Sequence, residues 1–499
     1  MGDYCRSCGV YDVAVFCKIN NLATHTKVWV VFFVHILLTC IQDFFMLRLY
    51  LEVYEILIFY FKFYEGQMRR VMKKVTKVSR DKVKSFDFAK KPHTPGFLFP
   101  VAREIISKPV LNGRNFKLTK TNMESVNGPY LMLVTHSSMI DFMVMTVAVQ
   151  PYRANNVMTL EGFNTYTEPL MRSLGVLGTR KYISDLNLIK NIRYCIEKLK
   201  NPFVLFPEAR YSLDGCTSYI PESTAKLVRM LRVPVVVLRI HGNFITQPQW
   251  NKIDKGNHIE AEMIQIITPQ ECKKLSVPEI DARIKEAFQY DDFKWQYEKK
   301  IKIDHPKRAE GLHALLYKCP ACQTEGETYS EGIHLWCEHC GKKWEMDEYG
   351  RMNALEGETE FPHIPDWSNW ERECVRKEIE EGTYYFEDTV MVDTLPGSLK
   401  FYHQGEGKLI QTPTETRIEC MYHGESYTLT RSAMNLESMH IEYDYLGRGD
   451  CVDISIPDDS FWCYLSKRDA ITKISFATEE MHLLAVRKAA EEKETAEEK

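Results

Sequence analysis

The chain opens with two apolar blocks. Val28 to Ile41 is almost wholly apolar but covers only part of a bilayer. After Gln42 and Asp43, the run Phe44 to Tyr64 carries Arg48, Glu52, Glu55 and Lys62 near one helical stripe, leaving a wide aromatic and aliphatic face. This pattern predicts a membrane helix plus an interfacial helix, or a re-entrant hairpin. The alternative is a helix pair packed on the next domain. A basic stretch follows, with Arg69, Arg70, Lys73, Lys74, Lys77, Arg80, Lys82, Lys84, Lys90 and Lys91 diluted by Asp81 and Asp87. It suits anionic headgroups on the cytoplasmic face of a membrane, or a solvated linker. Met68 and Met72 also read as candidate starts, so residues 1–67 are expected to be an anchor or an upstream extension and 68–94 a basic linker.

From Tyr130 the period changes. Tyr130 to Val134 is a short apolar run, a buried strand, and Met139 to Val149 a helix. Leu186, Ile189, Ile192, Ile196 and Leu199 recur at helical spacing; Phe203 to Phe206 and Val233 to Ile240 read as strands. A helix from about Pro278 to Lys300 closes the series. Such alternation predicts an α/β domain over 95–305 with a mixed, partly parallel sheet and helices around it. A small separate module at 312–350, a charged linker, and a β-rich region at 380–499 complete the chain. The last comprises short strands joined at Pro396-Gly397, Gly405-Glu406-Gly407, His423-Gly424 and Gly447-Arg448-Gly449, then a helix from Glu479 fading into a charged tail. A small barrel or sandwich, similar to the PH-like barrels with their closing helix, is expected there.

Composition narrows the class. Hydrophobic residues make up 44% and charged residues 26%, which excludes global disorder. The net charge of −4 gives no reason to expect nucleic acid as a partner. No basic start runs into an apolar core with a cleavage site, so no cleavable signal peptide is read. The 15 cysteines make a poor disulfide framework, but four fall in two tight pairs, Cys319 with Cys322 and Cys337 with Cys340. Four thiolates on two knuckles, with Gly341 freeing the last turn, predict a zinc ribbon with a structural, closed zinc site. A redox pair is the alternative. No catalytic metal is expected. Cys5 and Cys8 lack a second pair. The ribbon and the β-rich region are candidate surfaces for a protein partner.

Chemistry concentrates at His136-Ser137-Ser138-Met139-Ile140-Asp141, between a predicted strand and a helix. Histidine can take a proton from a hydroxyl at neutral pH, and a carboxylate on the other ring nitrogen fixes its tautomer. The substrate's own hydroxyl is then the nucleophile, and no acyl-enzyme is required. Alone the pair is weak, since a lone histidine is usually a satisfied structural residue. Downstream stand Gly175-Val176-Leu177-Gly178-Thr179-Arg180-Lys181, Phe206-Pro207-Glu208-Ala209-Arg210-Tyr211-Ser212 and Val233-Pro234-Val235. In this order the blocks resemble the glycerolipid acyltransferase family, which includes the 1-acylglycerol-3-phosphate acyltransferases. The resemblance covers residues 95 to 300.

That resemblance implies an enzyme moving a fatty acyl group from acyl-CoA or an acyl carrier protein to a lysophospholipid, with 1-acylglycerol-3-phosphate as default acceptor, in phospholipid biosynthesis. It implies His136 as base, Asp141 as its orienting partner, and Glu208 and Ser212 in the acceptor-binding block. Arg180 or Lys181, with Arg210, would meet the acceptor phosphate, because a guanidinium binds phosphate bidentately. Two departures stand out. Ala209 replaces the family's glycine, with Arg210 one position early and Tyr211 in the arginine place; Lys181 sits where counting from Gly175 puts the arginine. Another lysophospholipid or a different hydroxyl therefore remains open. The competing reading is a catalytically inactive, acyltransferase-like scaffold that holds lipid and recruits partners.

Overall fold

The structure is a computed structural model, and it describes residues 86–163, 167–256, 258–397 and 400–497. These all fall within one compact unit spanning residues 75–499. The apolar N-terminal blocks, Cys5 and Cys8, and the basic stretch up to Lys84 lie outside the described residues. Among the described residues no helix is long and apolar enough to cross a membrane.

The first sheet has seven strands: β1 (Lys117–Thr121), β2 (Leu131–Val134), β3 (Asn155–Thr159), β4 (Val176–Thr179), β5 (Phe203–Leu205), β6 (Val235–His241) and β7 (Glu260–Ile267). Their order is β1-β7-β6-β2-β5-β3-β4. β2 runs parallel to β5 and β6, and β3 parallel to β5 and β4; β7 is antiparallel to β6 and parallel to β1. The expected mixed sheet is present. β2 is buried on both faces, as its unbroken apolar run requires. Met132 and Val134 pack into one layer with helix α1 (Ile140–Ala148). Leu131 and Leu133 pack into the opposite layer with α2 (Leu186–Glu197), α3 (Ser223–Leu231) and α4 (Val277–Ala287).

The expected single closing helix is two. α4 is opened by a Ser276–Glu279 capping box, while Asp291 caps α5 (Asp292–Glu298) by accepting from Lys294 N at 2.8 Å. A polar side chain able to cap ends the first helix as firmly as it starts the second.

Four short antiparallel strands follow: β8 (Thr328–Glu331), β9 (His334–Cys337), β10 (Lys343–Met346) and β11 (Met352–Ala354). The charged linker expected next is instead a 17-residue helix, α6 (Ile364–Glu380). Asp366, Glu373, Arg376, Lys377 and Glu380 are exposed, while Ile364, Trp367, Val375 and Ile379 are buried together with Glu371. Seven further strands, β12 (Phe386–Thr394), β13 (Tyr402–Thr412), β14 (Glu415–Tyr422), β15 (Glu425–Ser432), β16 (His440–Glu442), β17 (Cys451–Ser455) and β18 (Ser460–Leu465), form an antiparallel sheet in the order β15-β14-β13-β12-β18-β17-β16. Helix α7 (Ile471–Glu497) ends the chain, starting eight residues before the expected Glu479. The sheet is two meanders joined through β12 and β18, followed by a helix. Among the described residues no ladder closes this sheet into a barrel.

The small ribbon is not a separate module. Leu335, Trp344 and Met346 belong to one buried cluster with Trp250 and Phe293 of the first sheet's unit and with Val390 and Ile454 of the last.

Candidate active site

His136 follows β2 by two residues, at the edge where β2, β5 and β6 all end. Its Nδ1 donates to Asp141 Oδ2 at 3.1 Å. The same oxygen accepts from Ser137 N at 2.5 Å and Ser138 N at 3.0 Å, and Oδ1 accepts from Asn243 Nδ2 at 2.5 Å. Asp141 is fully buried in the first turn of α1. Four donors hold the carboxylate in place, and with Nδ1 engaged by it, Nε2 of His136 is left as the outward ring nitrogen. The imidazole packs between Phe206 and Tyr211, at centroid distances of 4.4 and 4.2 Å. The Tyr211 hydroxyl meets Met139 Sδ at 3.2 Å, and Met139 (69% exposed) and Phe142 (40%) give the site an apolar rim.

Glu208 stands just past β5, yet its carboxylate faces backbone rather than the cleft. Oε1 accepts from His136 N at 3.1 Å and Oε2 from Ser218 N at 2.9 Å. Burial pushes its pKa up to about 7, opposed by those two amides. Ser212 returns the tie, its N donating to His136 O at 2.8 Å, while its hydroxyl bonds Cys216 O at 2.7 Å. Glu208 and Ser212 thus hold the histidine loop in place.

The expected phosphate-binding cations point elsewhere. Arg180 follows β4, which is separated from β2 by β5 and β3. Its Nη1 donates to Leu395 O (2.9 Å) and Ser460 Oγ (2.8 Å), and its Nη2 to Pro396 O (2.9 Å) and Asp458 O (3.1 Å), all in the C-terminal sheet's turns or at the start of β18. Lys181 is paired with Glu161 at 3.0 Å. Arg210 is buried against Glu479 of α7 at 2.7 Å, and Glu479 also meets Arg372 of α6 at 2.8 Å. Burial alone would raise Glu479; the two guanidinium groups hold it down to about 2. In this structure Arg180, Lys181 and Arg210, the residues expected to meet an acceptor phosphate, are each held by protein groups. In the third block Arg210 lies against the C-terminal helix and Tyr211 against the histidine.

Asn243 and Ser218 were not anticipated. Asn243 stands two residues past an apolar strand, a place where a polar side chain could be noticed; Ser218 reaches Glu208 through its backbone amide and its side chain across ten residues.

The four ribbon sulfurs lie within 4.8 Å of one another, with Cys319–Cys340 and Cys322–Cys337 at 3.7 Å. A tetrahedral site with Zn–S near 2.3 Å requires sulfurs about 3.8 Å apart, so the set fits zinc. Gly341 takes a φ of 77°, as the turn after the last cysteine requires.

Residues 115–241 match the family model described as Acyltransferase, and the protein carries an acyltransferase domain there. Among solved structures, the chain is similar to the 1-acyl-sn-glycerophosphate (LPA) acyltransferase PlsC from Thermotoga maritima, at 16% identity, covering 38% of this chain and 80% of that one, with a TM-score of 0.30. No curated protein matches the chain.

Proposed function

We propose that the protein is an O-acyltransferase that moves a fatty acyl group from acyl-CoA or acyl carrier protein to the hydroxyl of a glycerolipid acceptor. The observation that carries this reading is the His136–Asp141 pair, with its carboxylate closed by four donors and its Nε2 free, inside the matched domain. Nε2 takes the proton of the acceptor hydroxyl as its oxygen attacks the thioester carbonyl carbon. A carbon–oxygen bond forms, the carbon–sulfur bond breaks, and the proton passes from the imidazolium to the departing thiolate. The products are an ester and a free thiol. Met139 and Phe142 offer apolar surface for an acyl chain, which supports work at a lipid surface. A lysophospholipid is the acceptor the resemblance implies; its phosphate would need partners other than Arg180, Lys181 and Arg210. The ribbon cysteines would hold a structural zinc, away from the reacting atoms.

The test is acyl transfer by the purified full chain in detergent, with both donors and a panel of glycerolipid acceptors. His136→Ala is expected to lower the rate by about 10²–10⁴-fold while circular dichroism stays unchanged. Undiminished activity in this variant sinks the proposal.

A further inference from the structure

Strand β6 ends at His241, and the chain then turns sharply. Gly242 takes a φ of 89°, a left-handed conformation that glycine adopts without strain. The turn brings the fully buried side chain of Asn243 to Asp141 in the first turn of α1, where Nδ2 donates to Asp141 Oδ1 at 2.5 Å. Among the described residues no protein group donates to the Asn243 Oδ1, so this side chain is tied to Asp141 alone.

The turn is braced from a distant part of the chain. Asp292, the first residue of α5, is fully buried, and its Oδ2 accepts from Gly242 N at 3.0 Å and Phe244 N at 3.3 Å. Its Oδ1 pairs with His241 Nδ1 at 3.1 Å, and the Thr246 hydroxyl donates to Gly242 O at 2.7 Å. The residues on both sides of Asn243 are thereby fixed, and its amide has little freedom to leave its acceptor.

The two oxygens of Asp141 are held differently. Oδ2 meets His136 Nδ1, Ser137 N and Ser138 N, all from one loop. Oδ1 meets Asn243, which follows another strand. Donors on one oxygen leave a carboxylate free to swing about that point, and a donor on the other fixes its plane. With the plane fixed, Oδ2 stays in line with Nδ1 and the imidazole keeps its aim. Misplacing a reacting group by about 1 Å can cost as much as ~100-fold in rate.

We infer that Asn243 is a positioning residue for acyl transfer, acting through Asp141 to hold the His136 ring against the acceptor hydroxyl. The inference rests on the acyl-transfer reading above.

The experiment uses the full chain in detergent with Asn243→Ala, which leaves space, and Asn243→Leu, which keeps the volume; both remove the donor. Transfer from palmitoyl-CoA to 1-palmitoylglycerol 3-phosphate is measured against acceptor concentration. The expected result is a fall in kcat of about tenfold at unchanged KM. In an Asp141→Ala background the same substitutions should change kcat by less than about twofold, because Asn243 then has nothing to act through. Proton NMR gives a readout that needs no turnover. The far-downfield Nδ1–H resonance of His136, assigned by its loss in His136→Ala, should broaden or move in both variants. A resonance that is unchanged, or absent from the parent protein, overturns the inference. So does a raised KM at unchanged kcat, an undiminished effect without Asp141, or loss of the fold in both variants. If the parent acylates neither this acceptor nor the panel above while the resonance behaves as expected, the acyl-transfer reading fails and the placing of the His136 ring by Asn243 stands.

Discussion

Ala209 holds φ at 55°, a left-handed conformation that a side chain with Cβ adopts at a cost of about 1 kcal/mol. The family's glycine at this place therefore has a backbone reason, and this chain keeps the turn without the glycine. Ala209→Gly should raise stability by about 1 kcal/mol in urea unfolding, with the site unchanged. Glu208 gives a second test. Burial lifts it from 4.5 to about 7, so the folded protein keeps its proton where the unfolded chain has lost it. That contribution to stability is full below pH 4.5 and is lost as pH rises through 7. Glu208→Gln cannot ionise, so its stability relative to the parent should climb between pH 5 and pH 8. Denaturation curves whose spacing is the same at both ends of that window would argue against a raised Glu208. His136, Asp141 and Glu208 could be picked from the sequence because their chemistry is local to two short blocks. What Glu208 touches could not, since its partners His136 and Ser218 come from separate loops.

At the scale of elements, the strand–loop–helix unit from β2 through α1 was legible, because an unbroken apolar run and a helical repeat are both local signals. Helix α6 was not. Its sequence is dominated by charge, and its buried stripe becomes visible only once α7 and the ribbon lie against it. α6 and α7 are tied by Arg372 and Arg376 to Glu479 and Glu480. The Arg210–Glu479 contact fastens α7 to the acyltransferase loop. Glu479→Ala leaves Arg210 buried without its partner and should destabilise by about 3–5 kcal/mol. The paired replacement Arg210→Met with Glu479→Leu should recover most of that loss, as read by thermal melting. A double variant no more stable than Glu479→Ala would mean that the pair does not act as a unit.

Across the whole molecule, the ribbon, the acyltransferase unit and the C-terminal sheet share apolar side chains in one cluster. Trp344 of β10 packs on Trp367 of α6 at a centroid distance of 5.0 Å, so the ribbon fold is transmitted directly into the core. Metal removal should therefore lower the melting temperature of the whole described unit. Chelation with EDTA, or Cys337→Ser, checks this by calorimetry: one transition moving down is expected, whereas an unchanged main transition with a small separate one would mean an independent ribbon.

The sequence by itself determined the acyltransferase domain, the histidine–aspartate pair and the four-cysteine set, because each is written in short-range spacing that survives without knowledge of neighbours. Only the tertiary structure decided what Arg180, Lys181 and Arg210 do. A guanidinium offers its donors to whatever lies within reach, and here that is set by turns and a helix about 200 to 300 residues further along the chain.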